Sequence, residues 1–350
     1  MKVLDRAPCR RVDETDKQTM GHYRIPEPRV TEFAPPVYHC RRASESLKLD
    51  GNLNKPFWKD APWTADFRDI EGADKSTPHF RTRAKLLWDD TALYIGAELQ
   101  GNEIWGTISK RDDIIFRDND FEIFIDPDGD THVYCEFEMN ALNTLWDLLM
   151  VKPYRDGGKF INSFDIKGLE TAVLIDGELN NPSVKNRAWS LEVKMPFESL
   201  SECYKPGTIP QAGDYWRMNF SRVHWLVDIV NNTYQKRINP QTGKPFAEYN
   251  WVWSPTGLIN IHYPELWGFV FFCDAAERYA VPADEFLKWR LRCVYYQLHA
   301  AFDETGRFSL ADTPEGISVQ ITDYDFTLSC PASDGKSRLV MRTDGWVGRI

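Results

Sequence analysis

The chain has 350 residues, 42% of them hydrophobic and 27% charged, which is enough apolar material for a sizeable core without disulfides or metals. A formal net charge of −10 with no long basic block argues against duplex nucleic acid and anionic membrane surfaces as partners, and no run approaches the ~18 uninterrupted apolar residues of a membrane span. The 13 Trp, 14 Tyr and 20 Phe require large cores, flat binding faces, or both.

Residues 1–42 read as an irregular arm. Nine basic residues stand there against six acids, and Pro26, Pro28, Pro35 and Pro36 forbid a long helix. The arm holds no apolar stretch of the kind a secretory signal needs. The seven cysteines are odd in number and show no C-x-x-C pair, so they are expected to be scattered structural thiols.

From about residue 45 the pattern turns to period two. Ala84 to Trp88 and Leu93 to Leu99 flank Asp89-Asp90-Thr91, which predicts a hairpin. Asp120 to Asp126 meets the breaker cluster Pro127-Asp128-Gly129-Asp130, and Val133 to Asn140 returns with Glu136, Glu138 and Asn140 on one face. Trp189 to Met195 and Trp216 to Ser221 alternate in the same way, whereas Trp267 to Phe272 is apolar throughout, as expected of a strand buried on both faces. Pro282-Ala283-Asp284-Glu285 starts a helix whose stripe Phe286, Trp289, Cys293, Tyr296 and Ala300 is expected to pack on the sheets, with Gly306 closing it. Short strands follow at 317–322, 326–330 and 338–342. The predicted fold is mainly β: a two-sheet antiparallel β-sandwich over 43–275, with a C-terminal helix and short β appendage over 283–350.

Four segments in this order and spacing resemble the family 9 carbohydrate-binding modules and the family 9-like proteins of bacterial polysaccharide-use systems. They are Leu49-Asp50-Gly51 with Phe57-Trp58, Leu87-Trp88-Asp89-Asp90 with Leu93-Tyr94, Phe121 to Asp126, and Trp189 to Pro196. The resemblance spans roughly residues 43–275. It implies a β-sandwich that binds oligo- or polysaccharide, in its best-known members between two tryptophans at the reducing end, with structural calcium in some. It also implies a periplasmic or secreted setting. Glu122 matches a family carboxylate that accepts from sugar hydroxyls, and Asn140 a sugar-contacting amide. Glu138 stands where sugar-binding members place an arginine, which reverses the charge. The clamp positions fall near Phe116 and near Ile261-His262, neither of them tryptophan.

Sugar recognition needs flat apolar surface for ring C–H faces and planar polar groups for hydroxyls. Trp105, Phe116, Trp225, Trp251 and Trp253 lie in turn-rich stretches and are candidates for the first, although aromatics in such folds also serve as core packing. Arg222 is a further polar candidate and a cross-strand partner for Glu122. Asp126-Pro127-Asp128-Gly129-Asp130 suggests calcium, but its Gly is misplaced for an EF-hand and a tight turn explains it equally. No other cofactor has a motif, and His224, His262, Met139 and Met218 lack a haem-attachment signature. Three readings stay open: non-catalytic glycan binding, an interaction protein that keeps the fold without the site, and a glycoside hydrolase using Glu122 with Glu136 or Glu138.

Overall fold

A computed structural model describes residues 24–30, 32–204 and 209–350; most of the basic arm lies outside them. In chain order the strands are β1 (Val37–Arg42), β2 (Arg68–Asp69), β3 (Thr82–Trp88), β4 (Ala92–Gln100), β5 (Asp120–Asp126), β6 (Tyr134–Asn140) and β7 (Leu145–Met150). Then come β8 (Phe160–Ile161), β9 (Glu170–Asp176), β10 (Ala188–Pro196), β11 (Tyr215–His224), β12 (Val227–Val230), β13 (Thr233–Lys236), β14 (Tyr249–Val252) and β15 (Gly268–Cys273). Helix α1 (Ala283–Thr305), the one α-helix among the described residues, precedes β16 (Ser318–Ile321), β17 (Phe326–Pro331), β18 (Arg338–Arg342) and β19 (Val347–Arg349).

Mainly β is correct, but the two separate antiparallel sheets are not what forms. Thirteen strands join in one hydrogen-bonded sheet along the path β8-β7-β6-β5-β11-β15-β1-β3-β4-β10-β9, with β14 and β2 branching from β11. The join is β1, which pairs in parallel with β15 on one side and with β3 on the other. Its residues Val37 to Arg42, at the end of the proline-rich arm, carry two arginines and a histidine, so alternation there does not announce a strand. The sheet curls so that side chains from both halves meet in one core. Leu86, Ile95, Leu191 and Val193 from one half pack with Phe121, Ile123, Phe137, Met218 and Phe220 from the other. Two-residue periodicity makes this possible, because each strand sends every second side chain inward.

The Leu49-Asp50-Gly51 and Phe57-Trp58 motif has a structural task. The carboxylate of Glu192 on β10, fully buried, accepts from the backbone N–H groups of Asp50 and Gly51 at 2.8 Å, from the Trp58 indole at 2.6 Å and from Lys55 Nζ at 2.9 Å. A buried carboxylate is stable only when so satisfied, and the motif supplies its donors. Gly268 opens β15 at a point where a Cβ would lie 2.4 Å from the Trp253 ring; only glycine fits this contact.

The helix begins after Pro282 with Asp284 and Glu285 in its first turn and ends at Gly306, which takes the left-handed conformation (φ +72°). Its buried face, however, shares only part of the expected stripe, Tyr296 fully and Trp289 in part. Leu291, Val294, Tyr295, Tyr296 and Leu298 enter a second core with Phe326, Leu328, Leu339 and Met341 of the β16–β19 meander. Phe286 is exposed, and Phe33 of the arm stacks on Trp289 with ring centroids 5.1 Å apart. Phe33 of the arm therefore covers the start of the predicted stripe, at Phe286 and Trp289, while Tyr296 and its neighbours pack on the appendage.

Candidate functional site

Strands β5, β6, β7 and β11 present one face away from the main core. Register puts Glu122 opposite Ser221 on β11 and opposite Glu138 on β6, and puts Glu138 opposite Trp146 on β7. Glu136, two residues from Glu138, shares that face. The lower part of the face is covered: Arg217 donates to the Trp267 carbonyl at 3.1 Å and pairs with Glu285 of α1 at 3.0 Å, and Asn219 donates to the Ser254 carbonyl at 2.8 Å. The upper part remains open as a groove of about 380 Å³, within the usual range for small-ligand sites.

Carboxylates of Glu122, Glu136 and Glu138 form the base of this groove. Phe116, Trp146, Tyr154 and the 259–262 segment form its walls, with Glu248 among them. The acids are held against their nature. Burial pushes Glu122 up to about 7, with Glu248 adding to the shift and a hydrogen bond from Ser221 opposing it. Burial and the Glu122 charge push Glu136 up to about 8. Glu138 and Asp120 are also raised well above the usual carboxylate range, by burial first and then by their carboxylate neighbours. Oxygens of Asp120, Glu122 and Glu138 come within 4.8 Å of one another, and like charges so close in a buried site disfavour joint ionisation. The groove thus holds protons near neutral pH that ordinary carboxyls would have lost.

Its walls are positioned by distant parts of the chain. The Phe116 N–H donates to Glu138 Oε2 at 3.0 Å, and the Phe116 carbonyl accepts from the Trp225 indole at 2.8 Å, which leaves the ring 38% exposed at the rim. On the opposite wall, His262 meets the Tyr134 hydroxyl at 2.9 Å, and its carbonyl accepts from Arg155 at 3.1 Å. Arg155 pairs with Glu265 at 2.9 Å, and Glu265 in turn accepts from Tyr296 of α1. Burial raises the Glu265 carboxyl, but Arg155 and Arg292 outweigh it and bring it down to about 2. The C-terminal appendage therefore braces the loop that carries Ile261 and His262.

Of the residues expected from sequence, Glu122, Glu138 and Phe116 line the groove, and so do Ile261 and His262 at the second clamp position. Asn140 is buried beside it: its amide donates to the Ile108 carbonyl and to Asp118, and its oxygen accepts from the Leu142 and Thr144 N–H groups. It braces the β6–β7 turn. Trp105, Trp251 and Trp253 are buried away from the groove. Trp253 packs on Phe220 in the core and Trp251 stacks on His224. Arg222 lies on the opposite face from Glu122, because it follows Ser221 by one residue. It donates to Gln100 and Thr82, and burial brings it down to about 9. The wall residues Trp146, Tyr154 and Glu248 were not anticipated. Trp146 sits in a strand whose only polar residue is Asp147, and the other two come from segments without a motif.

In the Asp126–Asp130 turn, Asp126 accepts from the N–H groups of Gly129 and Thr131, each at 3.0 Å. Asp130 accepts from His132 N–H and from the Trp346 indole of the appendage, both at 2.7 Å. These bonds account for the turn, and the oxygens of Asp126, Asp128 and Asp130 nevertheless cluster within 4.8 Å. Among the described residues no helix is long and apolar enough to cross a membrane.

Residues 49–204 match the family model "carbohydrate family 9 binding domain-like". Among solved structures the chain is similar to a family 9 carbohydrate-binding module from Caldicellulosiruptor kristjanssonii in complex with cellotriose. Identity is 17%, coverage is 70% of this chain and 98% of that one, and the TM-score is 0.43. A module from the same organism in complex with glucose gives 16%, 69% and 100%, and 0.43. A protein from Bacteroides uniformis assigned to carbohydrate binding gives 14%, 68% and 100%, and 0.49. No curated protein matches the chain.

Proposed function

Because residues 49–204 carry a carbohydrate family 9 binding domain-like domain, we propose that the protein binds oligo- or polysaccharide in the groove above Glu122 and Glu138, without cleaving it, in the service of polysaccharide use. One observation carries this reading. The groove joins buried carboxylates, which accept from hydroxyls, to the exposed Phe116 ring and to Trp146, aromatic surface that suits the C–H faces of a sugar ring. An interaction protein that had lost its site would have no reason to keep acids buried at this cost.

Calorimetry against a panel of neutral and amino-sugar oligosaccharides tests the reading. Binding of at least one oligosaccharide, weakened in Phe116→Ala, is the expected result; silence across the panel would end it. Release of reducing sugar, lost in Glu122→Gln, would instead assign the protein to the hydrolases. Structural calcium at the Asp126–Asp130 turn is a separate proposal, supported by the clustered oxygens and by the burial that raises Asp126. A calcium-dependent rise in Tm that disappears in Asp128→Asn is its test.

A further inference from the structure

We propose that the sugar held in the groove carries a protonated amine, a glucosamine-type unit whose ammonium sits against Glu122, Glu136 and Glu138. The inference rests on the sugar-binding reading and narrows it to a ligand class. Its first support is the charge of the walls. Among the described residues lining the groove there are four glutamates, Glu122, Glu136, Glu138 and Glu248, and no lysine or arginine. The one basic ring, His262, stays neutral: burial and the neighbouring Arg155 push it down to about 3. No side chain of the groove therefore balances these acids.

The second support is independent of charge counting. Oε2 of Glu136, on a residue only 5% exposed, has no hydrogen-bond partner, and neither does Oδ2 of the fully buried Asp120, which clusters with Glu122 and Glu138. Unpartnered buried acceptors are rare and costly. A neutral hydroxyl would supply one donor and leave these acids in the protonated form that burial favours. An ammonium supplies three donors and the opposite charge together, and the aromatic faces of Phe116 and Tyr154 on the walls also favour a cation. Oxygens of Asp120, Glu122 and Glu138 lie within 4.8 Å of one another, which also suits a bare divalent ion. Such an ion needs six or more oxygen ligands, however, and has no use for apolar walls or for a volume of about 380 Å³.

The test is calorimetry of the full chain with tetramers of glucosamine, N-acetylglucosamine and glucose, each with EDTA and again with calcium. The glucosamine tetramer is expected to bind about tenfold or more tightly than the other two, a gap of about 1.4 kcal/mol. The gap is expected to narrow in Glu136→Gln, with folding checked by melting. Glu248→Gln, at a partly exposed position, must also narrow it and serves if the first variant does not fold. Equal affinity for the three tetramers, or an unchanged gap in both variants, would overturn the amine and leave sugar binding standing. No binding of any tetramer would remove the sugar reading itself. Binding lost in EDTA and restored by calcium would assign the counter-charge to a metal ion and overturn the proposal.

Discussion

Replacing Glu136 by glutamine keeps the shape of the side chain and removes its charge. The wild-type carboxyl is raised from 4.5 to about 8 by burial and by Glu122. A folded-state value above the unfolded one means that protonation favours folding. The contribution is complete below about pH 4.5 and is lost as pH rises through about 8. At about 1.4 kcal/mol per pKa unit the span corresponds to about 5 kcal/mol. That is an upper limit, since Glu136 and Glu122 ionise against each other and share the cost. The glutamine variant has no such loss, so its advantage over the wild type should grow from near zero at about pH 5 to about 2–4 kcal/mol at about pH 9. Urea unfolding across this range, read by tryptophan fluorescence, measures it directly. Parallel pH curves for the two proteins, or a variant less stable than the wild type at alkaline pH, would refute the argument that these acids are buried without a counter-charge.

Phe116→Ala is expected to weaken oligosaccharide binding about tenfold by calorimetry, the loss of one aromatic face at ~1.4 kcal/mol, with Tm nearly unchanged because the ring is at the rim. Glu265→Gln leaves Arg155 and Arg292 buried without their carboxylate and should cost about 3–5 kcal/mol in denaturant unfolding. The Glu265 carboxyl lies at about 2 when folded, below its unfolded value. Its stabilisation is therefore present above about pH 4.5 and lost as pH falls toward 2, and acid titration of the wild type should show it. Gly268→Ala drives a methyl into the Trp253 ring and should lower stability by about 1–3 kcal/mol, read as a fall in Tm.

Alternation made most of the sheet legible. β3, β4, β5, β6, β10 and β11 all show it, and β15 betrays burial on both faces by being apolar throughout. β7 does not: Trp146, Leu148 and Met150 face the groove side and Leu145 and Leu149 the other, where Asp147 is the one polar residue, so no regular polar face marks the strand. The carboxylates Glu122 and Glu138 were readable because strand period alone puts them on one face. Trp251 and Trp253 misled for the same physical reason that Arg222 did. A one-residue step along a strand reverses direction, and the pattern does not reveal which parity faces the core in short strands such as β14. The far wall, with Ile261 and His262, is set by the fold of a loop tied to α1 through Glu265, and such long-range ties leave no local trace.

The seam strand also bears on what can be cut from this chain. Residues 49–204 contain β3 and β5 but not β1 and β11, which flank them, nor β15, which lies between those two. Expressed alone, that segment would present two long unpaired strand edges to solvent, an invitation to aggregate. Because β1 at residues 37–42 must find β15 at 268–273, closure waits on a contact spanning most of the chain, which slows folding. The smallest piece worth expressing therefore begins before residue 37 and ends beyond 273.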